Sequence, residues 1–161
     1  MEERDTITPS EKRHSTYSPE ETSAFAERLG ADLKGCEIVG LIGDLGAGKT
    51  TFVRGLARGM HVDDPGAVKS PSYTLVISYP GPLPLLHLDA YFMQSSEDLD
   101  LCGMEDALDC GHVVVIEWAD RIQSLLPERV IYVYLETTGL DERLIRVVPA
   151  LPGAGKPDTG K

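Results

Sequence analysis

Cysteine is scarce in this chain: only Cys36, Cys102 and Cys110 occur, and three cannot all pair within one molecule. No CxxC or CxxxC spacing joins them, which argues against a zinc knuckle or a thioredoxin-like redox pair. Free thiols fit a reducing compartment. Long apolar runs are also missing, and nothing approaches the roughly 18 apolar residues of a membrane helix. The first 17 residues are polar and charged, without the apolar centre of a secretory signal. A cytoplasmic location is expected. Positive charge is in deficit. Lys plus Arg number 15 against 26 Asp plus Glu, a formal net charge of −11. Such a surface repels phosphate backbones on average. Unaided gripping of RNA or DNA is therefore disfavoured, and a basic partner protein, a cation or a small nucleotide fits better. No internal repeat stands out.

What is present suits one globular domain. The 161 residues are 42% hydrophobic and 25% charged, enough for a core without disulfides. Residues 1–16 read as a flexible polar arm. Ser18, Pro19 and Glu21 then mark a helix start with capping-box spacing. Phe25, Leu29 and Leu33 continue it as an apolar stripe, so a helix is predicted over 19–33. The apolar run 36–42 predicts a buried strand. Phe52, Val53, Leu56 and Ala57 predict a helix over 50–59. Strands are expected at 73–79, 85–89, 113–116, 129–135 and 143–148. A mostly polar helix is expected at 97–108 and a short one at 120–126. From Pro149 onward the composition reads as a flexible tail, leaving 17–148 as the folded domain. Wholly apolar strands alternating with helices imply an α/β fold, a sheet flanked by helices. The later strands follow one another without long helices, so part of the sheet should be antiparallel.

Between the first apolar strand and the next helix lies Gly43-Asp44-Leu45-Gly46-Ala47-Gly48-Lys49-Thr50. It fits GxxxxGK[ST] at every fixed position, in the strand–loop–helix order that gives the motif meaning. Glycines let consecutive N–H groups wrap one anion, and the helix N-terminus adds positive potential. Residues 44–51, ending in Lys49, Thr50 and Thr51, are the expected triphosphate cradle. Lys49 is assigned to the β- and γ-phosphates and Thr50 to Mg2+. The letters GxGK recur at Gly153–Lys156, but no preceding strand is placed against them and no Ser or Thr follows, so they read as tail.

A phosphate site needs an acid to position magnesium or water. Glu117 follows Val113-Val114-Val115-Ile116 at the carboxyl end of a buried strand, where open α/β sheets bind ligands. Asp89 follows Leu85–Leu88 in the same way. His87 shares its face by strand alternation, with a structural or a catalytic role open. The hydroxyl-rich segment Lys69–Thr74 is a candidate loop over the γ-phosphate, with Ser72 its assigned contact. Trp118, the lone tryptophan, has three readings: stacking on a base, packing in the core or facing a partner. The guanine-reading Asn-Lys-x-Asp pattern is absent, which favours adenine. No acceptor-substrate domain or arginine-rich lid is evident, which weakens a small-molecule or nucleoside kinase. A nucleotide sensor that binds without hydrolysis is the other alternative.

Taken together, GDLGAGKTT at 43–51, KSPSYTLV at 69–76, HLDAY at 87–91 and IEW at 116–118 resemble the TsaE (YjeE) family over roughly residues 17–148. The resemblance implies a small bacterial P-loop ATPase with a mixed sheet flanked by helices. It implies ATP and Mg2+ as cofactors and slow hydrolysis. It further implies work with TsaB-like and TsaD-like partners, whose complex transfers threonylcarbamoyl to the adenosine beside the tRNA anticodon. The ATPase would reset that complex, touching tRNA only through it. The family's phosphate lysine falls on Lys49, its magnesium threonine on Thr50, its acid before tryptophan on Glu117 and its strand-end aspartate on Asp89. Two positions depart from the family pattern. Ser72 stands where threonine is usual, keeping the oxygen but losing a rotamer-restricting methyl. Phe92 stands where arginine is usual, so that charge is missing or supplied elsewhere.

Overall fold

The computed structural model describes residues 10–149 apart from Tyr73. Seven strands form one sheet: β1 (Lys12–Thr16), β2 (Ile38–Ile42), β3 (Val76–Tyr79), β4 (Leu85–Asp89), β5 (Val113–Glu117), β6 (Val130–Thr137) and β7 (Arg143–Val148). Their order is β1-β7-β6-β2-β5-β4-β3. The central four, β6-β2-β5-β4, run parallel. Antiparallel β7 and β1 extend one edge and antiparallel β3 the other. The expected α/β, P-loop-type mixed sheet is therefore present.

Strand alternation splits the core in two. Val39 and Leu41 of β2 and Val113 and Val115 of β5 face helices α1 (Pro19–Asp32) and α2 (Lys49–Gly59). Ile38, Val114 and Ile116 face the opposite side. That side is covered by α3 (Ser96–Leu101), α4 (Met104–Asp109) and a 3-10 segment, Ala119–Leu125. Helix α1 starts as its sequence implies, since Ser18 Oγ accepts from the Glu21 N–H at 3.1 Å. Glu21 reaches back one residue further than a capping box does and accepts from the Tyr17 N–H at 2.8 Å. Helices α1 and α2 cross through glycines. A Cβ on Gly55 would strike the Ser23 carbonyl and one on Gly59 the Glu27 carbonyl. These are close approaches that only glycine allows.

Four expectations need correction or fall outside the described residues. The sequence predicts a loose arm to residue 16, yet Lys12–Thr16 pairs with β7, Thr16 opposite Arg143. Four of its five residues are exposed, so it carries no apolar alternation, and its pairing partner lies at the far end of the chain. Residues 1–9 and 150–161, including Gly153–Lys156, lie outside the described residues. The helix expected at 97–108 is two helices parted at Gly103, whose φ of 76° is left-handed. The strand expected at 73–79 begins at Val76. The Thr74 and Leu75 N–H groups both donate to the Pro71 carbonyl, and Leu75 has φ 66°, so a turn occupies that stretch; Tyr73 lies outside the described residues.

Candidate functional site

The phosphate-type loop leaves β2 at Ile42 and enters α2 at Lys49. Gly46 (φ 79°) and Gly48 (φ 98°) are left-handed, which lets the chain double back within eight residues. The Ala47 N–H is engaged inside the loop, donating to the Asp44 carbonyl at 3.0 Å. Arg143 on β7 braces the loop from outside. Its Nε donates to the Ala47 carbonyl at 2.9 Å and its Nη2 to the Gly46 carbonyl at 3.2 Å.

An open cleft of about 480 Å3 lies along the loop. Of the residues singled out from sequence, Leu45, Gly46, Gly48, Lys49, Thr50, Thr51, Ser72 and Glu117 line it, together with Ser70 and Trp118. Asp44 and Ala47 stand outside its wall and enter through backbone carbonyls, Asp44 toward Lys49 and Ala47 toward Arg143. Asp89 is also outside the wall. It is buried, opposite Glu117 across the ladder, and its Oδ1 accepts from the Tyr91 N–H at 2.9 Å.

Lys49 is folded onto its own loop. Its Nζ donates to the Gly43 carbonyl at 2.5 Å and the Asp44 carbonyl at 2.9 Å. The same ammonium sits 3.9 Å from the centre of the Trp118 ring, a cation–π distance. Burial pushes its pKa below the ordinary 10.5, against the upward pull of Glu117, Asp120, Asp44 and Asp89. Trp118 lines the cleft, with Lys49 against its face and Tyr91 edge-on at 5.0 Å, an arrangement that selects none of its three readings.

Glu117 ends the most buried strand and points to the α2 side, in line with Val113 and Val115. Thr50 Oγ1 donates to its Oε1 at 3.2 Å, and Ser70 Oγ to its Oε2 at 3.4 Å. His87 Nε2 lies 3.5 Å from the same Oε2. Burial alone would raise the Glu117 pKa. The His87 imidazole 3.5 Å away, the Thr50 hydroxyl and the Lys49 charge together outweigh it, so the carboxyl is held below its ordinary value.

The donor chemistry fits a hard cation. A hydroxyl and a carboxylate oxygen stand together, and among the described residues no cluster of three His, Cys, Asp or Glu could hold a metal unaided. Two protein oxygens with the remaining positions left to phosphate and water is the way magnesium is usually held. Ser70 and Arg143 were not assigned roles from sequence. Ser70 was legible only as part of a hydroxyl-rich loop. Arg143 carried no local signal for this role, because the phosphate-loop carbonyls it braces are almost a hundred residues away.

The strand–loop–helix geometry agrees with comparisons to known proteins. The profile of the family described as "Threonylcarbamoyl adenosine biosynthesis protein TsaE" matches residues 16–145. The chain is 40% identical over 132 residues to the tRNA threonylcarbamoyladenosine biosynthesis protein TsaE of Bacillus subtilis, covering 81% of this chain and 80% of that one. It is 36% identical over 130 residues to the protein of the same description from Treponema pallidum, covering 81% and 95%. Among solved structures, the crystal structure of Bacillus subtilis YdiB superposes with a TM-score of 0.69 at 33% identity, covering 86% of this chain and 84% of the other. A profile spanning most of the chain, with relatives of this identity aligned over most of their own length, shows that this chain belongs to the TsaE family.

Proposed function

We propose that this chain is a magnesium-dependent ATPase of tRNA threonylcarbamoyladenosine biosynthesis, binding a TsaB–TsaD-like complex and resetting it between turnovers. The relatives named for that pathway support the setting. The observation that carries the chemistry is the meeting of Thr50 and Glu117 at 3.2 Å beside Lys49 in one cleft. Lys49 would leave the Gly43 and Asp44 carbonyls for the β- and γ-phosphates, a transfer from neutral acceptors to charged ones. Thr50 and Glu117 would hold Mg2+. When bound, that ion supplies neutralisation of charge on the phosphoryl oxygens. Asp89, fixed by the Tyr91 N–H, would orient the attacking group with Glu117. Ser70 and Ser72, whose hydroxyls lie 2.6 Å apart, would close over the γ-phosphate and report its presence to the partner.

No helix among the described residues is long and apolar enough to cross a membrane, and a cytoplasmic setting with tRNA reached only through the complex suits the acidic surface. The test is reconstitution of the modification with TsaB-like and TsaD-like proteins, with and without this chain, scored over several rounds. Repeated rounds should require the chain and hydrolysable ATP. An equal number of rounds without the chain, or with a non-hydrolysable analogue, overturns the proposal.

A further inference from the structure

Among the described residues, His87 is the least explained polar group. It is fully buried, and neither Nδ1 nor Nε2 has a hydrogen-bond partner. Its neighbours across the ladder are Ile77 on β3 and Val115 on β5. A leucine there would bury no unsatisfied nitrogen, so packing alone gives no reason for an imidazole. Its Nε2 lies 3.5 Å from Oε2 of Glu117.

The two oxygens of Glu117 are treated differently. Oε1 faces Thr50 on α2. Oε2 faces Ser70 and His87. Ser70 lies on the loop before β3, outside any strand or helix. His87 lies inside β4, laddered on both sides. Of the two groups at Oε2, only His87 belongs to the rigid sheet. It can therefore hold the carboxylate wherever the loop goes.

We propose that His87 is the positioning residue of this site. Its Nε2 holds Oε2 of Glu117 so that Oε1 stays turned toward Thr50 and a cation held between them. The inference rests on the reading of Thr50 and Glu117 as magnesium ligands, and it adds the group that fixes the carboxylate's orientation. No change of protonation is required. Nε2 contributes an N–H directed at a carboxylate oxygen 3.5 Å away.

The test uses the full-length chain and two substitutions. His87→Leu removes the donor and suits an apolar pocket. His87→Gln can restore an N–H near the position of Nε2. ATP affinity is measured by calorimetry with Mg2+ and with EDTA, and thermal midpoints are recorded for each variant. His87→Leu should lose roughly tenfold or more of the gain in affinity that Mg2+ brings, the usual size for a group orienting a metal ligand. Its affinity in EDTA should be unchanged and its thermal midpoint equal or higher. His87→Gln should recover most of the Mg2+ gain. In a Glu117→Gln background, His87→Leu should cost nothing further, since the group it acts through is gone.

A Mg2+ gain in His87→Leu within twofold of the parent overturns the inference. So does an equal loss in both variants accompanied by a lowered thermal midpoint, which would mark His87 as structural. An undiminished effect of His87→Leu on top of Glu117→Gln would show that it acts by another route, and also overturns it. If the parent chain gains no ATP affinity from Mg2+ at all, the magnesium-site reading fails and this inference fails with it. That outcome is distinct from a parent that responds to Mg2+ and a variant that responds equally.

Discussion

On one face of the sheet, helices of 14 and 11 residues cross through glycines. On the other, two six-residue helices and a seven-residue 3-10 segment cover the strands. The titratable groups of the candidate site belong to the first face. Lys49 opens α2, while His87, Asp89 and Glu117 lie in line with inward residues such as Leu85, Val113 and Val115. The difference teaches where tolerance lies. Thr50 must meet Glu117 at hydrogen-bond distance, so a slide of α2 along the sheet would separate them. Glycine contacts that allow no slack hold α2 in place, and preorganised chemistry needs that kind of support. The second face fills space with shorter pieces and carries none of the residues assigned to phosphate or cation.

The largest effect should come from Glu117→Gln. The substitution keeps size and removes charge, so ATP hydrolysis in the presence of partners should fall roughly 100-fold in single-turnover measurement, with partner docking retained. A rate within twofold of the parent would move the essential acid to Asp89. The same variant carries a pH signature. Glu117 is held below its ordinary pKa of 4.5, so the folded state binds fewer protons than the unfolded state in the interval between the two values. The resulting stability is fully present above about pH 4.5 and lost as pH falls through the lower folded value. The parent's stability relative to Glu117→Gln should therefore diminish on acidification, as read from denaturant midpoints. A gap that widens toward low pH contradicts the charge pattern around Glu117.

Gly59→Val attacks the packing of the first face directly. A Cβ there meets the Glu27 carbonyl and, at 2.8 Å, the Ala31 nitrogen. Both are backbone atoms that cannot swing aside. Overpacking of this kind costs about 3 kcal/mol, the upper part of its usual range. ATP affinity should fall along with stability, because α2 carries Lys49 and Thr50. Lost stability with intact affinity would show that the loop holds its shape independently of α2 packing.

The same contrast governs what the sequence made legible. On the first face the signals are local: Ser18, Pro19 and Glu21 start α1, and the glycine loop between an apolar strand and an apolar-striped helix announces itself. Glu117 and Asp89 were visible because apolar strands end at them. Elsewhere the determinants are distant. The polar segment Lys12–Thr16 is a strand only because the edge of β7 is available to it. Arg143 matters through loop carbonyls far away in sequence. The partnerless state of His87 is a property of the packed sheet, and alternation alone placed it on the right face without revealing its isolation. Gly103 did carry a local signal, as glycine commonly ends helices, but the apolar spacing of Leu101, Met104 and Ala107 runs straight across it.

Thr50→Ala should have a smaller, metal-specific effect. Its hydroxyl donates to Glu117 at 3.2 Å, and its proposed function is as a cation ligand. ATP affinity with Mg2+ should drop about tenfold, roughly 1.4 kcal/mol by the affinity scale, and affinity in EDTA should change little. An equal loss under both conditions would make Thr50 a purely structural residue of the loop.

The smallest effect is expected on the second face, at Gly103. Its φ of 76° places it in the left-handed region, where it ends α3 and starts α4. An added Cβ would meet nothing within 4 Å, so the cost of Gly103→Ala is the backbone conformation alone, about 1 kcal/mol. Gly103→Asn should cost less, because asparagine visits this conformation more readily. Denaturant midpoints would rank the three as glycine, asparagine, alanine. ATP turnover with partners should stay within twofold for both variants, since α3 and α4 pack against Val114 and Ile116 and not against the residues that line the cleft. A loss well above 2 kcal/mol, or a drop in turnover that the stability change does not account for, would mean that the second face also sets the position of β5 and Glu117. The two faces would then share the task of holding the site, and the tight crossing of α1 and α2 would no longer explain its geometry by itself.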